Sequence, residues 1–214
     1  MNKKYMPVFV EISSKPVLVI GAGMIAHRKI MNLLDFGADV VCIAPQCISE
    51  IEKLADSGEI KYIKREYQRG DTKDFDYVFA ATNNPEADQQ IFDDCKKDGT
   101  ILNVADVPEL CSFIVPAYIR RGNITFSVST GGTAPFYAKH LKDKLNETFT
   151  ERTGKIAELA SYFRKKLVAD EHYNDEKRRN EKISWFLRQD WDKNLSEGNF
   201  EESYKIIDLF FENQ

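Results

Sequence analysis

The apolar run Val17-Leu18-Val19-Ile20 leads straight into Gly21-Ala22-Gly23-Met24-Ile25-Ala26. A continuous run of branched residues is what a parallel strand covered on both faces requires. From Ile25 to Phe36 apolar side chains then recur at helical spacing, and Gly37 closes the helix as a C′ glycine would. Strand, G-x-G-x-x-A and helix together form a dinucleotide fingerprint. Gly21 allows the tight turn, Gly23 lets the backbone approach a pyrophosphate, and Ala26 is small enough for close helix–sheet packing. The first turn, with Met24 and Ile25, offers N–H groups to the phosphates. The spacing alone is weak. The strand before it and the helix after it separate this reading from a plain turn.

The same alternation continues downstream. Val40 to Ala44, Ile60 to Ile63, Tyr77 to Ala81 and Ile101 to Val104 read as buried strands, with helices over Ile48 to Ala55 and Glu86 to Lys97. The fold class is therefore α/β, a Rossmann-like doubly wound parallel sheet. Met6 to Ile12 reads as an edge strand. After Cys111 the pattern changes. Phe113 to Tyr118 and Ile124 to Ser129 read as strands around Arg121-Gly122-Asn123, and Phe136 to Phe149 as a helix. From Arg152 onward the chain is helical and charged, with aromatic anchors such as Trp185 and Phe210. The expected organisation is a dinucleotide-binding domain over 1–113, a β-β-α element over 114–150 and a helical C-terminal domain over 151–214. The β-β-α element is too small to bury both of its faces, so it is expected to pair with a second copy in a homodimer.

Composition narrows the function classes. The net charge of −4 argues against a nucleic-acid partner, and no apolar run is long enough to span a membrane. Met1 to Pro7 lacks the apolar region of a signal peptide. Cys42, Cys47, Cys95 and Cys111 form no C-x-x-C pair and show no zinc spacing, so no metal site is expected and a cytoplasmic location is.

Ligands of open α/β sheets bind beyond the carboxyl ends of the strands. That rule places Thr82 and Asn83, after the fourth strand, and Asp106, after the fifth, along one crevice. By spacing alone Asp106 is equally a turn residue ahead of Pro108. The acid that usually ends the second strand and holds the ribose is missing. Ile43-Ala44-Pro45-Gln46 stands there, so backbone groups or Gln46 must hold the ribose, and Asp39 lies at the strand's other end. No Arg or Lys lies between Asp39 and Glu52, which favours NAD over NADP. Farther on, Ser129-Thr130-Gly131-Gly132-Thr133 precedes a helix and reads as an anion nest. Between Ile114 and Val168 ten Lys and Arg, Lys139 among them, face four Asp and Glu. An acidic protein with a basic middle suits an acidic substrate. Of the histidines, His140 follows the Ser129–Thr133 segment by two turns and reads either as solvated or as facing such a ligand; His27 and His172 read as structural or solvated.

These motifs, taken in order, resemble the precorrin-2 dehydrogenase family, which includes the N-terminal half of siroheme synthases. The resemblance rests on Met6-Pro7-Val8-Phe9, on Val17 to Gly23 with Ala26-His27-Arg28-Lys29, on Ala80 to Glu86, on Asn103 to Glu109, on Ser112 to Ala117 and on Ser127 to Pro135. It covers residues 6–150. Ala22 replaces the middle glycine of the family's usual triple, and Thr130 replaces a serine. The resemblance implies NAD-dependent oxidation of precorrin-2 to sirohydrochlorin, a tetrapyrrole rich in carboxylates. It also implies an essential aspartate at Asp106 and a homodimer through 114–150. Some members of the family insert iron into the product as well, so a bifunctional ferrochelatase is an alternative. A non-catalytic NAD-sensing module is a third reading; it would not need the Ser129–Thr133 segment.

Overall fold

The computed structural model describes residues 4–196, 198 and 200–213. They divide into two compact units, one up to Val115 and one from Pro116 on.

The first unit is built on five parallel strands in the order β3-β2-β1-β4-β5: β1 (Pro16–Ile20), β2 (Asp39–Ala44), β3 (Ile60–Lys64), β4 (Tyr77–Ala80) and β5 (Ile101–Val104). Helices α1 (Met24–Asp35), α2 (Ser49–Asp56) and α3 (Pro85–Asp98) connect them. The strand order reverses between β1 and β4, the switch point at which such sheets open a crevice. Val17, Leu18 and Val19 are wholly buried, as their unbroken apolar run requires. Alternation splits the core in two. Val17 and Val19 pack with Ala26, Ile30 and Phe79 on the α1 side; Leu18 and Ile20 pack with Val78, Ile91 and Leu102 on the α3 side. Helix α1 ends as its glycine demands, with Gly37 at φ 72° and its N–H on Leu34 O.

Two strand expectations are corrected. Met6 to Ile12 forms no strand, and Met6, Val8 and Phe9 are exposed. A strand needs a neighbouring ladder. The β5 edge is already occupied by Ser112, whose N–H bonds Leu102 O at 2.8 Å. Phe113 to Pro116 is not strand either. Phe113 turns into the α1-side core, edge-on to Tyr77 and Phe79, and Pro116 has no N–H to donate.

The second unit opens with the antiparallel hairpin β6 (Ala117–Arg121) and β7 (Ile124–Val128). It continues through α4 (Pro135–Thr148), α5 (Glu151–Ala169), α6 (Glu176–Arg188), α7 (Trp191–Ser196) and α8 (Phe200–Glu212). The Arg121 guanidinium donates to Phe149 O at 2.9 Å and Asn146 Oδ1 at 2.6 Å, tying the hairpin to the end of α4. Leu159, Phe163, Leu167, Phe186, Trp191 and Ile207 form the core of the later helices, with Trp185 stacked on Phe210 at 3.8 Å.

Candidate functional site

At the carboxyl edge of β1 the backbone has little freedom. Gly21 sits at φ 103°, and its N–H bonds Ile43 O at 2.9 Å. A Cβ there would lie 2.1 Å from Ala81 O, inside the backbone that follows β4. Only glycine fits. Gly23 differs: its φ is −90°, and a Cβ there would meet nothing within 4 Å. The space above Gly23 is open, and no side chain caps α1. The first helical bond runs from His27 N to Gly23 O, so the N–H groups of Met24, Ile25 and Ala26 precede the ladder and point out of the helix end. Met24 and Ile25 are exposed beside them, while Ala26 is buried against the sheet. An open cradle over an uncapped helix terminus without acidic residues in its first turn fits a pyrophosphate.

Pro45 and Gln46 lie exposed beside this loop, which Ile48 N holds through a 3.1 Å bond to Ala22 O. Asp39 begins β2 opposite Pro16, at the far edge of the sheet. The Tyr62 hydroxyl donates to Ala44 O at 2.8 Å and pins the ends of β2 and β3 together. Burial, with Cys47 close by, pushes that hydroxyl up to about 12, and burial raises the neighbouring Cys42 thiol to about 12 as well. Sequence spacing missed one group here. Lys64 pairs with Ala44 in the β2–β3 register and ends exposed at this same edge, although it lies well outside the Asp39–Glu52 window.

Across the crevice, β4 and β5 end in two left-handed residues. Asn83 has φ 55° and Asp106 φ 60°, and both are exposed. Non-glycine residues adopt this conformation at some cost, Asn and Asp least, and such residues gather at functional sites. Thr82 is less available than expected. Its hydroxyl lies 2.7 Å from the buried Asp88 Oδ1 and accepts from Asn84 N at 3.0 Å, while the Asn84 side chain caps α3. Its visible role is to set the loop that presents Asn83.

Within electrostatic reach of Asp106 lies a group that spacing did not single out. Lys29, on α1, donates to Asn103 Oδ1 at 2.6 Å and sits over the Phe79 ring, 5.2 Å from its centroid. Asn103 is 7% exposed, in the middle of β5, and its amide nitrogen donates to Phe113 O at 3.1 Å. Burial pushes the Lys29 ammonium below the usual lysine range, and Arg28 acts the same way; Cys111 and Asp106 oppose them. The A-x-R-K run held the signal, but only the fold shows that its lysine turns toward β5.

In the second unit, the Ser129–Thr133 loop closes on itself. Gly131 N bonds Ser129 Oγ, Thr133 N bonds Thr130 O, and Ala134 N bonds Thr130 Oγ1. These amides are therefore spent, contrary to a simple anion nest. The Ser129 and Thr130 hydroxyls act as acceptors in those bonds, which leaves each O–H to donate. Gly131, Gly132, Lys139 and His140 are exposed, and the His140 ring stacks on Tyr137 at 6.0 Å. Arg121 is occupied by Phe149 and Asn146, as described above.

Comparison with known proteins accords with this geometry. A family described as "Putative NAD(P)-binding" matches residues 8–117. The chain is 37% identical over 175 residues to a siroheme synthase of Ruthia magnifica subsp. Calyptogena magnifica, covering 82% of this chain and 37% of the relative. It is 34% identical over 163 residues to a siroheme synthase of Methylococcus capsulatus, covering 76% and 34%. The chain thus spans little more than a third of the curated relatives it matches. Among solved structures, one of SirC, a precorrin-2 dehydrogenase, superposes with a TM-score of 0.77 at 22% identity, covering 95% of this chain and 99% of the other, a likeness of fold.

Proposed function

We propose that this chain, which belongs to the NAD(P)-binding family matched over residues 8–117, is a dehydrogenase that oxidises precorrin-2 to sirohydrochlorin with NAD⁺. The observation that carries the reading is the crevice itself. An open phosphate cradle over Gly23 shares one sheet edge with a carboxylate, Asp106, held in a strained left-handed turn. The motifs named above and the siroheme synthase relatives supply the substrate class.

In this reading Gly21, Gly23, Met24 and Ile25 hold the pyrophosphate, Pro45 and Gln46 border the adenosine ribose, and Asn83, set by Thr82, borders the opposite half. The bound dinucleotide supplies the hydride acceptor. Precorrin-2 loses a hydride and a proton, giving sirohydrochlorin, NADH and H⁺. Asp106 takes the proton or faces the positive charge that develops as the hydride leaves. The hydroxyls of Ser129 and Thr130, with Lys139, receive carboxylates of the tetrapyrrole, and Gly131 and Gly132 supply the positive-φ turn that presents them. The hairpin and α4, residues 114–150, form the contact of a homodimer. Among the described residues the four cysteines form no disulfide and three are buried, which suits a reducing compartment and a cytoplasmic location. Among the described residues no helix is long and apolar enough to cross a membrane.

The test is anaerobic incubation with precorrin-2 and NAD⁺ or NADP⁺. NADH and the sirohydrochlorin spectrum should rise together with NAD⁺. No nucleotide reduction with either cofactor would refute the proposal. The NADP⁺ arm is needed because Lys64 stands at the ribose end of the crevice. Light scattering at micromolar concentration tests the dimer; a monomer would overturn that part.

A further inference from the structure

We infer that Lys29 is a specificity-determining residue of the dinucleotide site, one that favours the uncharged, reduced nicotinamide over the cationic, oxidised one. This rests on the reading that the crevice binds a nicotinamide dinucleotide.

Orientation follows from the fold. The ribose next to adenine binds at the end of β2, and the pyrophosphate binds at the glycine loop that follows β1. The remaining half of the dinucleotide must then lie toward β4 and β5. Lys29 reaches from α1 to that side of the sheet. Its ammonium is fixed between Asn103 Oδ1, at 2.6 Å, and the face of Phe79. Asn103 is itself buried and anchored on Phe113 O at 3.1 Å, so it holds the ammonium in place. The ring face favours the charged amine. The partner at hydrogen-bond distance is a neutral amide, not a carboxylate; Asp106 acts on the ammonium only through space, so the charge is not cancelled by a direct ion pair. The oxidised nicotinamide ring carries one positive charge and the reduced ring none. A fixed cation on that side therefore penalises the oxidised form alone, and the bound pair is tilted toward accepting a hydride.

The experiment titrates NAD⁺, NADH and ADP-ribose into the full chain and into Lys29→Met and Lys29→Arg, by calorimetry. ADP-ribose carries the adenosine and pyrophosphate without the nicotinamide. In Lys29→Met the ratio Kd(NAD⁺)/Kd(NADH) is expected to fall about fivefold or more, with ADP-ribose affinity unchanged. Lys29→Arg keeps the charge and should keep the ratio. If Lys29→Met fails to fold, Lys29→Gln gives the same comparison with a polar side chain. Equal loss for all three ligands would overturn the inference, because a phosphate contact or a purely structural residue behaves that way. An unchanged ratio would overturn it too. Failure of the unaltered protein to bind any of the three would instead remove the nucleotide reading on which the inference stands.

Discussion

A Cβ on Gly21 would stand 2.1 Å from the Ala81 carbonyl oxygen, whereas one on Gly23 would meet nothing within 4 Å. The two glycines of one fingerprint therefore serve different ends. Gly21 is needed for β1 and β4 to close over the loop at all. Gly23 leaves room for something outside the chain. Gly21→Ala should destabilise the protein by at least about 2 kcal/mol, from the clash and the positive φ together. Gly23→Ala should change stability by less than about 1 kcal/mol, since its φ suits any residue, yet weaken NAD⁺ binding at least tenfold. Denaturant melts and calorimetry on both variants check this. Loss of binding without loss of stability in Gly21→Ala would reverse the assignment.

Asp106 lends itself to a clean substitution. Its φ of 60° is a conformation that asparagine tolerates as readily as aspartate. Asp106→Asn should keep the fold and the affinity for ADP-ribose while lowering precorrin-2 turnover at least a hundredfold, the ordinary scale of a lost acid–base group (about 10²–10⁴). Alanine would confuse the result by adding backbone strain. The rate of NADH formation under saturating NAD⁺ is the measurement, and turnover near the unaltered rate would show the carboxylate to be dispensable.

Much of this was legible from the chain, for physical reasons that differ by residue. The run Val17 to Ala26 carries its structure locally, because a doubly buried strand and a helix start each impose their own periodicity. Met6 to Phe9 carries strand-forming side chains, but whether a ladder receives them depends on which sheet edge is free, and Ser112 takes the β5 edge. The same limit hid Lys64 and Lys29. Lys64 comes to the crevice edge by strand register, and Lys29 comes to β5 by a long side chain that crosses to Asn103, 74 residues away. The Ser129–Thr133 loop was found by its composition, while the direction of its hydrogen bonds, which spends the amides and leaves the hydroxyls, depends on φ values near 64° and 84° at Gly131 and Gly132.

Gly154 offers a test of the second unit. A glycine inside a helix ordinarily costs about 1 kcal/mol relative to alanine, so Gly154→Ala in α5 would be expected to stabilise. The structure reverses the sign. An added Cβ would lie 2.9 Å from Arg121 C and 3.0 Å from Gly122 N, against the turn of the β6–β7 hairpin. Backbone cannot give way as a side-chain end can, and overpacking of this kind costs about 1–3 kcal/mol. The variant should therefore melt earlier than the unaltered protein. A higher melting temperature would mean that α5 and the hairpin turn stand farther apart.

Asp170 and Lys182 provide a pH test of the helical core. Lys182 Nζ lies 2.6 Å from Asp170 Oδ2, with side chains only 8% and 14% exposed. The bond from Lys182 holds the Asp170 carboxyl below its usual range, helped by the His172 N–H and opposed by burial. A carboxyl depressed in the folded state contributes stability that is fully present above its unfolded pKa, near about 4, and is lost as pH falls through the lower folded value. At neutral pH Asp170→Asn should cost about 3 kcal/mol, the low end for breaking a buried pair, because it strands the Lys182 charge. Both tryptophans, Trp185 and Trp191, lie in α6 and α7, so their fluorescence reports this core directly. In denaturant melts the gap between the two proteins should be widest above pH 5 and should start to close below about pH 4, as the unfolded carboxyl takes up its proton, and keep closing toward the lower folded value. A gap that stays constant down to pH 3 would show that ionisation of Asp170 contributes nothing to the fold.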